Sequence, residues 1–173
     1  DALLSERIAE LAAPIEEAMA IVVAETTAAI DGDRSSCRAR ECEMGVLVAT
    51  AMLDRVRDQG IDIAIQNGGG LRASIDPGEV TMGEVLTVLP FQNTLATFQL
   101  SGADVIAALE NGVSQVEDGA GRFPQVAGMR FSWDPAAEPG SRITSVEIET
   151  ADGFVPIDPE AIYGVVSNNY MRS

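Results

Sequence analysis

Histidine is absent from all 173 residues. That absence excludes a Ser-His-Asp triad, a Cys-His couple and every metal site that uses imidazole. Carboxylates remain as ligands for a hard cation, but the sequence has neither an EF-hand loop nor a dense acidic cluster. Any metal chemistry is thus left to another domain. Positive charge is scarce as well: 11 basic against 27 acidic side chains give a formal net charge of −16. Such a field repels polyanions at long range, which makes DNA, RNA and acidic membrane surfaces poor partners. A small phosphorylated ligand is still admissible, because a local arginine cluster outweighs a distant field within a Debye length. No hydrophobic run approaches the ~20 residues of a membrane span. Pro14, Glu16, Glu17 and Glu25 interrupt the N-terminal one. No signal peptide opens the chain, and its charged start at Asp1 and Glu6 reads as an excised piece whose targeting segment lies elsewhere.

Cysteines number two, Cys37 and Cys42, five positions apart. They either close a small disulfide loop, which implies an oxidising compartment, or remain reduced thiols; the spacing alone allows both. Aromatics make up 5% of the chain. Walker A, G-x-S-x-G and H-E-x-x-H motifs are missing. No pair of carboxylates stands out as a catalytic couple.

What is present is a 46% hydrophobic sequence long enough for one domain with a substantial core. Leu4, Ile8, Leu11, Ile15 and Met19 fall at helical spacing, with Pro14 expected to kink or divide that helix. Residues 21–29 read as a strand, and Asp31-Gly32-Asp33 as a turn. A second helix is expected over residues 43–59, with Met44, Leu47, Val48, Met52 and Val56 inward and Gly60 as its C-cap. Residues 61–66 form a buried strand. Thr81 and Glu84 make a capping box for a short helix that Pro90 stops. Residues 94–100 are a strand, and Ser101 caps a helix reaching Val113. Residues 129–133 and 142–149 flank a loop as a hairpin, and residues 162–167 are a last strand. Strands and helices intermingle, so the class is mixed α/β (α+β) in a single domain.

Gln66-Asn67-Gly68-Gly69-Gly70-Leu71-Arg72 concentrates candidate chemistry. Three glycines expose backbone N–H groups, and a guanidinium follows two residues on. The stretch matches G-x-G-x-x-A, yet Ser74-Ile75-Asp76-Pro77-Gly78 is a turn where a dinucleotide fold needs a helix. A polar ligand site and a tight turn are equally admissible. Arg34, Arg38 and Arg40 cluster around the cysteines. They either bind phosphate or carboxylate, or pair with the surplus acids. Phe91, in the Pro-bounded loop Pro90-Phe91-Gln92-Asn93, and Tyr170 either stack on a heterocyclic base or plug the core.

Taken in order, Asp31-Gly-Asp-Arg34, Cys37-Arg-Ala-Arg-Glu-Cys42 leading to Met44-Gly45, Asn67-Gly-Gly-Gly-Leu-Arg72, Pro90-Phe-Gln-Asn93, Gly121-Arg-Phe-Pro-Gln125 and Asn168-Asn-Tyr170 resemble the C-terminal domain of the 5′-nucleotidase / UDP-sugar hydrolase family. The resemblance implies one such domain over residues 1–173, with residues 1–20 a linker-like helix. It implies a small-molecule nucleotide as ligand, and as partner an N-terminal metallophosphatase domain holding two divalent metals and the catalytic His-Asp pair. This chain would then have no catalytic residue, metal ligand or cofactor of its own, and would be inactive alone. Arg34, Arg38 and Arg72 would hold phosphate or ribose oxygens, Asn67 and Asn93 the nucleoside, and Phe91 and Tyr170 the base. Gly69 would lie against the ligand. The location would be periplasmic, secreted or cell-surface.

Three features depart from the family pattern. Gln92 stands where glycine is usual, and Tyr170 where phenylalanine is common. The chain ends at Ser173, before the Gly-Gly-Asp-Gly segment whose aspartate also contacts ligand. Other substrates remain compatible with the resemblance: UDP-sugars, 2′,3′-cyclic nucleotides and the sulfur esters of thiosulfohydrolases. So does a non-catalytic nucleotide-binding module.

Overall fold

The computed structural model describes residues 2–172, so Asp1 and Ser173 lie outside the described residues. The helices in chain order are α1 (Ala2–Met19), α2 (Arg34–Cys37), α3 (Glu43–Val56), α4 (Met82–Val88), α5 (Gly102–Val113) and α6 (Asn169–Arg172). The strands are β1 (Val22–Thr26), β2 (Ile63–Asn67), β3 (Gly78–Thr81), β4 (Leu95–Ser101), β5 (Pro124–Ala127), β6 (Met129–Trp133), β7 (Ile143–Thr150), β8 (Gly153–Pro156) and β9 (Ile162–Asn168).

A four-stranded sheet in the order β4-β9-β2-β5 organises the domain. β2 and β9 run parallel, while the outer strands β4 and β5 are antiparallel to their neighbours. Both faces of this sheet are covered, and β2 is buried along its whole length. The pleat divides its side chains between two cores. Ile63 and Ile65 face α5 and the β6-β7 strands, packing with Val105, Leu109, Met129, Val146 and Val165. Ala64 faces α3 with Leu53 and Val166. β6, β7 and β8 form a separate three-stranded sheet, and β1 pairs with β3 as a two-stranded ribbon. A third core gathers Cys37, Cys42, Met44, Leu71, Val80 and Val88 beside the future site.

Local chemistry accounts for most boundaries. The capping box at Thr81 and Glu84 is formed: the Glu84 carboxylate accepts from Thr81 N (2.7 Å), and Thr81 Oγ1 accepts from Glu84 N (3.3 Å). Ser101 Oγ accepts from Asp104 N and starts α5. The long helix ends at Val56 rather than residue 59, because Arg57–Gln59 tighten into a 3₁₀ turn before Gly60 turns left-handed at φ 76°. The strand expected over residues 21–29 stops at Thr26, whose hydroxyl donates to Ala28 O (2.7 Å) and bends the chain.

The structure revises two expectations. α1 runs unbroken through Pro14, which removes one rung of the hydrogen-bond ladder without dividing the helix. In α3, Met44, Met52 and Val56 are buried as expected and Val48 is half-buried, but Leu47 is 48% exposed. The inward face runs instead through Gly45, Ala49 and Leu53, which lie over the sheet. Replacing Leu53, which has no exposed surface, by alanine should cost about 2–5 kcal/mol through lost burial and a residual cavity. Urea unfolding at neutral pH measures this.

Candidate functional site

A cleft of about 1280 Å³ runs past the carboxyl ends of β2 and β9. Arg38, Asn67, Gly69, Arg72, Phe91, Asn93 and Tyr170 all line it, although they come from four separate stretches of chain. Arg34 is not among the lining residues; it opens α2 one turn ahead of Arg38. The chain contains no lysine, so its 11 basic side chains are all arginines. Four of them, Arg38, Arg72, Arg122 and Arg172, face the cleft.

Cys37 and Cys42 are joined by a disulfide, with their Cα atoms 5.1 Å apart. The loop between them carries Arg38. Arg38 Nη1 donates to Gly119 O (2.9 Å), while its Nε is buried without an acceptor among the described residues. Burial, followed by the neighbouring charges of Arg34 and Arg72, lowers the Arg38 pKa from its ordinary value. Burial is the larger cause and the two like charges add to it, so a guanidinium in this position is costly to leave without a counter-charge. Arg72 Nη1 reaches Gly69 O (3.4 Å). Its guanidinium lies 5.6 Å from the Phe91 ring centroid, within cation–π range. Neither Arg38 nor Arg72 forms an ion pair among the described residues. The alternative in which they pair with surplus acids is therefore removed for these two.

The glycine run begins no helix beyond one 3₁₀ turn, Gly68–Gly70. Gly69 N donates to Gly121 O (2.8 Å), and a Cβ on Gly69 would fall 2.8 Å from Gly121 Cα. Only glycine lets these two backbones approach so closely. Asn67 is held on both sides of its amide. Its Oδ1 accepts from Asn168 Nδ2 (3.0 Å), and its Nδ2 donates to Gly121 O (3.3 Å). The same Asn168 amide donates to Gln66 Oε1 (2.9 Å), and its Oδ1 accepts from Met171 N (3.0 Å). One buried side chain thus ties β2 to α6, which bears Tyr170. Asn169 and Thr94 exchange two further bonds, pinning the loop of Phe91 and Asn93 to the same helix.

Phe91 is 56% exposed and Tyr170 69%. Neither ring plugs the core. Between Phe91 and Asn93, Gln92 adopts φ 52°, the left-handed region that favours glycine. The glycine usual in the family pattern at this position matches that backbone.

Sequence reasoning passed over two contributors. Arg122 Nη1 donates to Asn111 Oδ1 (2.9 Å) at the cleft wall, a pairing between a helix and a loop that no local motif signals. Gln125 is 1% exposed and holds the disulfide loop from β5. Both residues stand in the stretch Gly121-Arg-Phe-Pro-Gln125 that carries the resemblance, but nothing local gives either a role.

The sheet, the covering helices and a cleft edged by arginines and exposed aromatics make up one mixed α/β domain. The family model of the 5′-nucleotidase C-terminal domain matches residues 22–173, and the chain belongs to that family. It is 44% identical over 148 residues to a trifunctional nucleotide phosphoesterase of Bacillus subtilis, covering 84% of this chain and 10% of that protein. It is 32% identical over 158 residues to the human 5′-nucleotidase, covering 83% of this chain and 28% of that protein. The crystal structure of a 5′-nucleotidase precursor from Thermus thermophilus superposes with a TM-score of 0.92 at 46% identity, over 99% of this chain and 34% of that one. The chain therefore spans about a third or less of the relatives it matches.

Asp33 N-caps α2, the turn that delivers Arg38. The hydroxyl and then the backbone N–H of Ser35 lower its pKa. A depressed carboxyl contributes stability above its unfolded pKa and loses that contribution as pH falls through the native value. The stability gap between wild type and Asp33→Ala should accordingly narrow as pH drops below the ordinary carboxylate range, measured by denaturant unfolding at a series of pH values.

Proposed function

We propose that this domain binds and orients the nucleotide for a two-domain phosphohydrolase that converts nucleoside phosphates to nucleoside and phosphate. The observation that carries the reading is the convergence of unpaired Arg38 and Arg72 with exposed Phe91 and Tyr170 in one cleft. Aromatic faces suit a base, and guanidinium forks suit phosphate oxygens bidentately. Asn67 and Asn93 also line the cleft. With its Oδ1 already accepting from Asn168, Asn67 offers its remaining Nδ2 hydrogen to an acceptor such as a ribose oxygen. Arg34, outside the cleft lining, adds positive charge next to Arg38.

The reaction itself belongs to a domain outside this chain. Among the described residues no group of three or more His, Cys, Asp or Glu is placed to hold a metal. The donor set does not fit a divalent pair, and no step is assigned to one here. What this chain supplies is position: a nucleotide fixed at base and phosphate has lost the freedom that otherwise slows attack on phosphorus. α1 would then serve as the linker helix to the catalytic domain. The Cys37–Cys42 disulfide suits a periplasmic, secreted or cell-surface location. No described helix is long and apolar enough to cross a membrane.

Calorimetric titration of the 173-residue chain with adenosine and AMP tests the reading. Phe91→Ala should weaken both ligands by about 1–3 kcal/mol through lost stacking. Unchanged affinity for both would remove the base from that ring. Arg72→Ala should weaken AMP more than adenosine; equal losses would end its role in holding phosphate.

A further inference from the structure

Gln125 lies on β5, opposite Gln66 on β2, with 1% of its surface exposed. Its carboxamide reaches out of the sheet to the disulfide loop more than eighty residues away. Nε2 donates to Cys37 O (2.9 Å) and to Arg40 O (2.8 Å), and Oε1 accepts from Cys42 N (3.1 Å). Both amide hydrogens and the carbonyl are therefore spent on the backbone of a single loop. Arg38 lies between the two carbonyls that this amide holds. A Cβ on Gly45 would fall 2.2 Å from Gln125 Oε1, so the glycine at the start of α3 provides the passage through which the side chain arrives.

The disulfide and the amide do different things. The S–S bond closes the loop upon itself and attaches it to no strand. Gln125 attaches the loop to the strand whose preceding loop presents Gly119 and Gly121 to the Arg38 guanidinium. A loop closed but unattached keeps its shape and loses its address.

We propose that Gln125 is a positioning residue for phosphate recognition: its amide fixes the Arg38-bearing loop against the central sheet, and does so whether or not Cys37 and Cys42 are oxidised. The proposal rests on the reading of Arg38 as a phosphate ligand. A nucleotide then meets a guanidinium already placed beside Arg72, with little side-chain entropy left to lose. A merely structural glutamine would affect all ligands alike, whereas this one acts on the phosphate end.

The test compares wild type, Gln125→Met, Gly45→Ala and Arg38→Ala for the ratio of AMP to adenosine affinity, alongside hydrogen exchange at the Cys42 amide. Methionine fills the volume without the three bonds. Gly45→Ala displaces the amide without removing it, and so serves if the methionine variant folds poorly. Both should speed Cys42 exchange and lower the AMP-to-adenosine ratio roughly tenfold, the equivalent of one charge-assisted hydrogen bond, with adenosine affinity unchanged. Reducing the disulfide in wild type should leave the ratio within about threefold of its oxidised value, less than half the free energy of a tenfold loss. An unchanged ratio in Gln125→Met beside a lowered one in Arg38→Ala overturns the positioning role. Collapse of the ratio on reduction alone assigns that role to the disulfide and overturns the proposal too. An unchanged ratio in both Gln125→Met and Arg38→Ala overturns the phosphate reading of Arg38, and the positioning role with it.

Discussion

The parallel pairing of β2 with β9 is the constraint from which the cleft follows. Ile63 and Ala64 lie opposite Val165 and Val166, so the two strands end within one residue of each other. That register brings Asn67 and Asn168 within hydrogen-bond distance although 101 positions separate them in sequence. Beyond these ends the chain departs in two directions, as the glycine run on one side and α6 on the other. Ligand sites favour the carboxyl ends of parallel strands because the diverging loops leave an opening there. A one-residue slip would exchange the faces of every side chain, putting Ala64 among the residues of α5 and Ile65 against α3. Two differently shaped cores thus defend one register, and the register defends the site.

Electrostatics then distinguishes the opening from the rest of the surface. A chain of net charge −16 presents four arginines to one cleft, and leaves the two nearest the glycine run without acidic partners among the described residues. Arg142 is the contrast: it is 5% exposed, and it is fully engaged by Val113 O, Ala137 O and the Glu117 carboxylate. A structural arginine is surrounded by acceptors. Arg38 finds one carbonyl and keeps a buried Nε unspent. The acidic exterior favours neutral or weakly charged regions of a ligand near the rim, while short-range guanidinium contacts act only on a group small enough to enter.

Periodicity made the long elements legible and little else. α3, α5, β4, β6, β7 and β9 lie within a residue or two of where apolar spacing and caps place them, α3 apart at its C-terminus, because each buries one face against a neighbour. β3, β5 and β8 went unseen. Each has only four residues, too few for an alternation to register, and each exists because a neighbouring strand supplies its partner. Leu47 satisfied a helical period and is still exposed, since periodicity fixes a stripe but not its width. The site divided in the same way. Residues with unusual local chemistry, such as the glycine run, its arginine and a loop phenylalanine, stood out from the sequence. Gln125 and the Asn111–Arg122 pair did not, because their importance lies wholly in partners far along the chain.

The buried amides also explain why the cleft has one geometry. Gln66, Asn67, Gln125 and Asn168 are all buried, and a buried polar group without a partner costs about 1–3 kcal/mol. Any alternative packing of the loops would orphan several of them together, a penalty of the same order as the whole stability of a small domain. An apolar seam in their place would tolerate sliding, because dispersion contacts have little directional preference. The directional bonds do not. A cleft whose candidate site residues come from four separate stretches of chain needs that kind of intolerance more than it needs additional buried area.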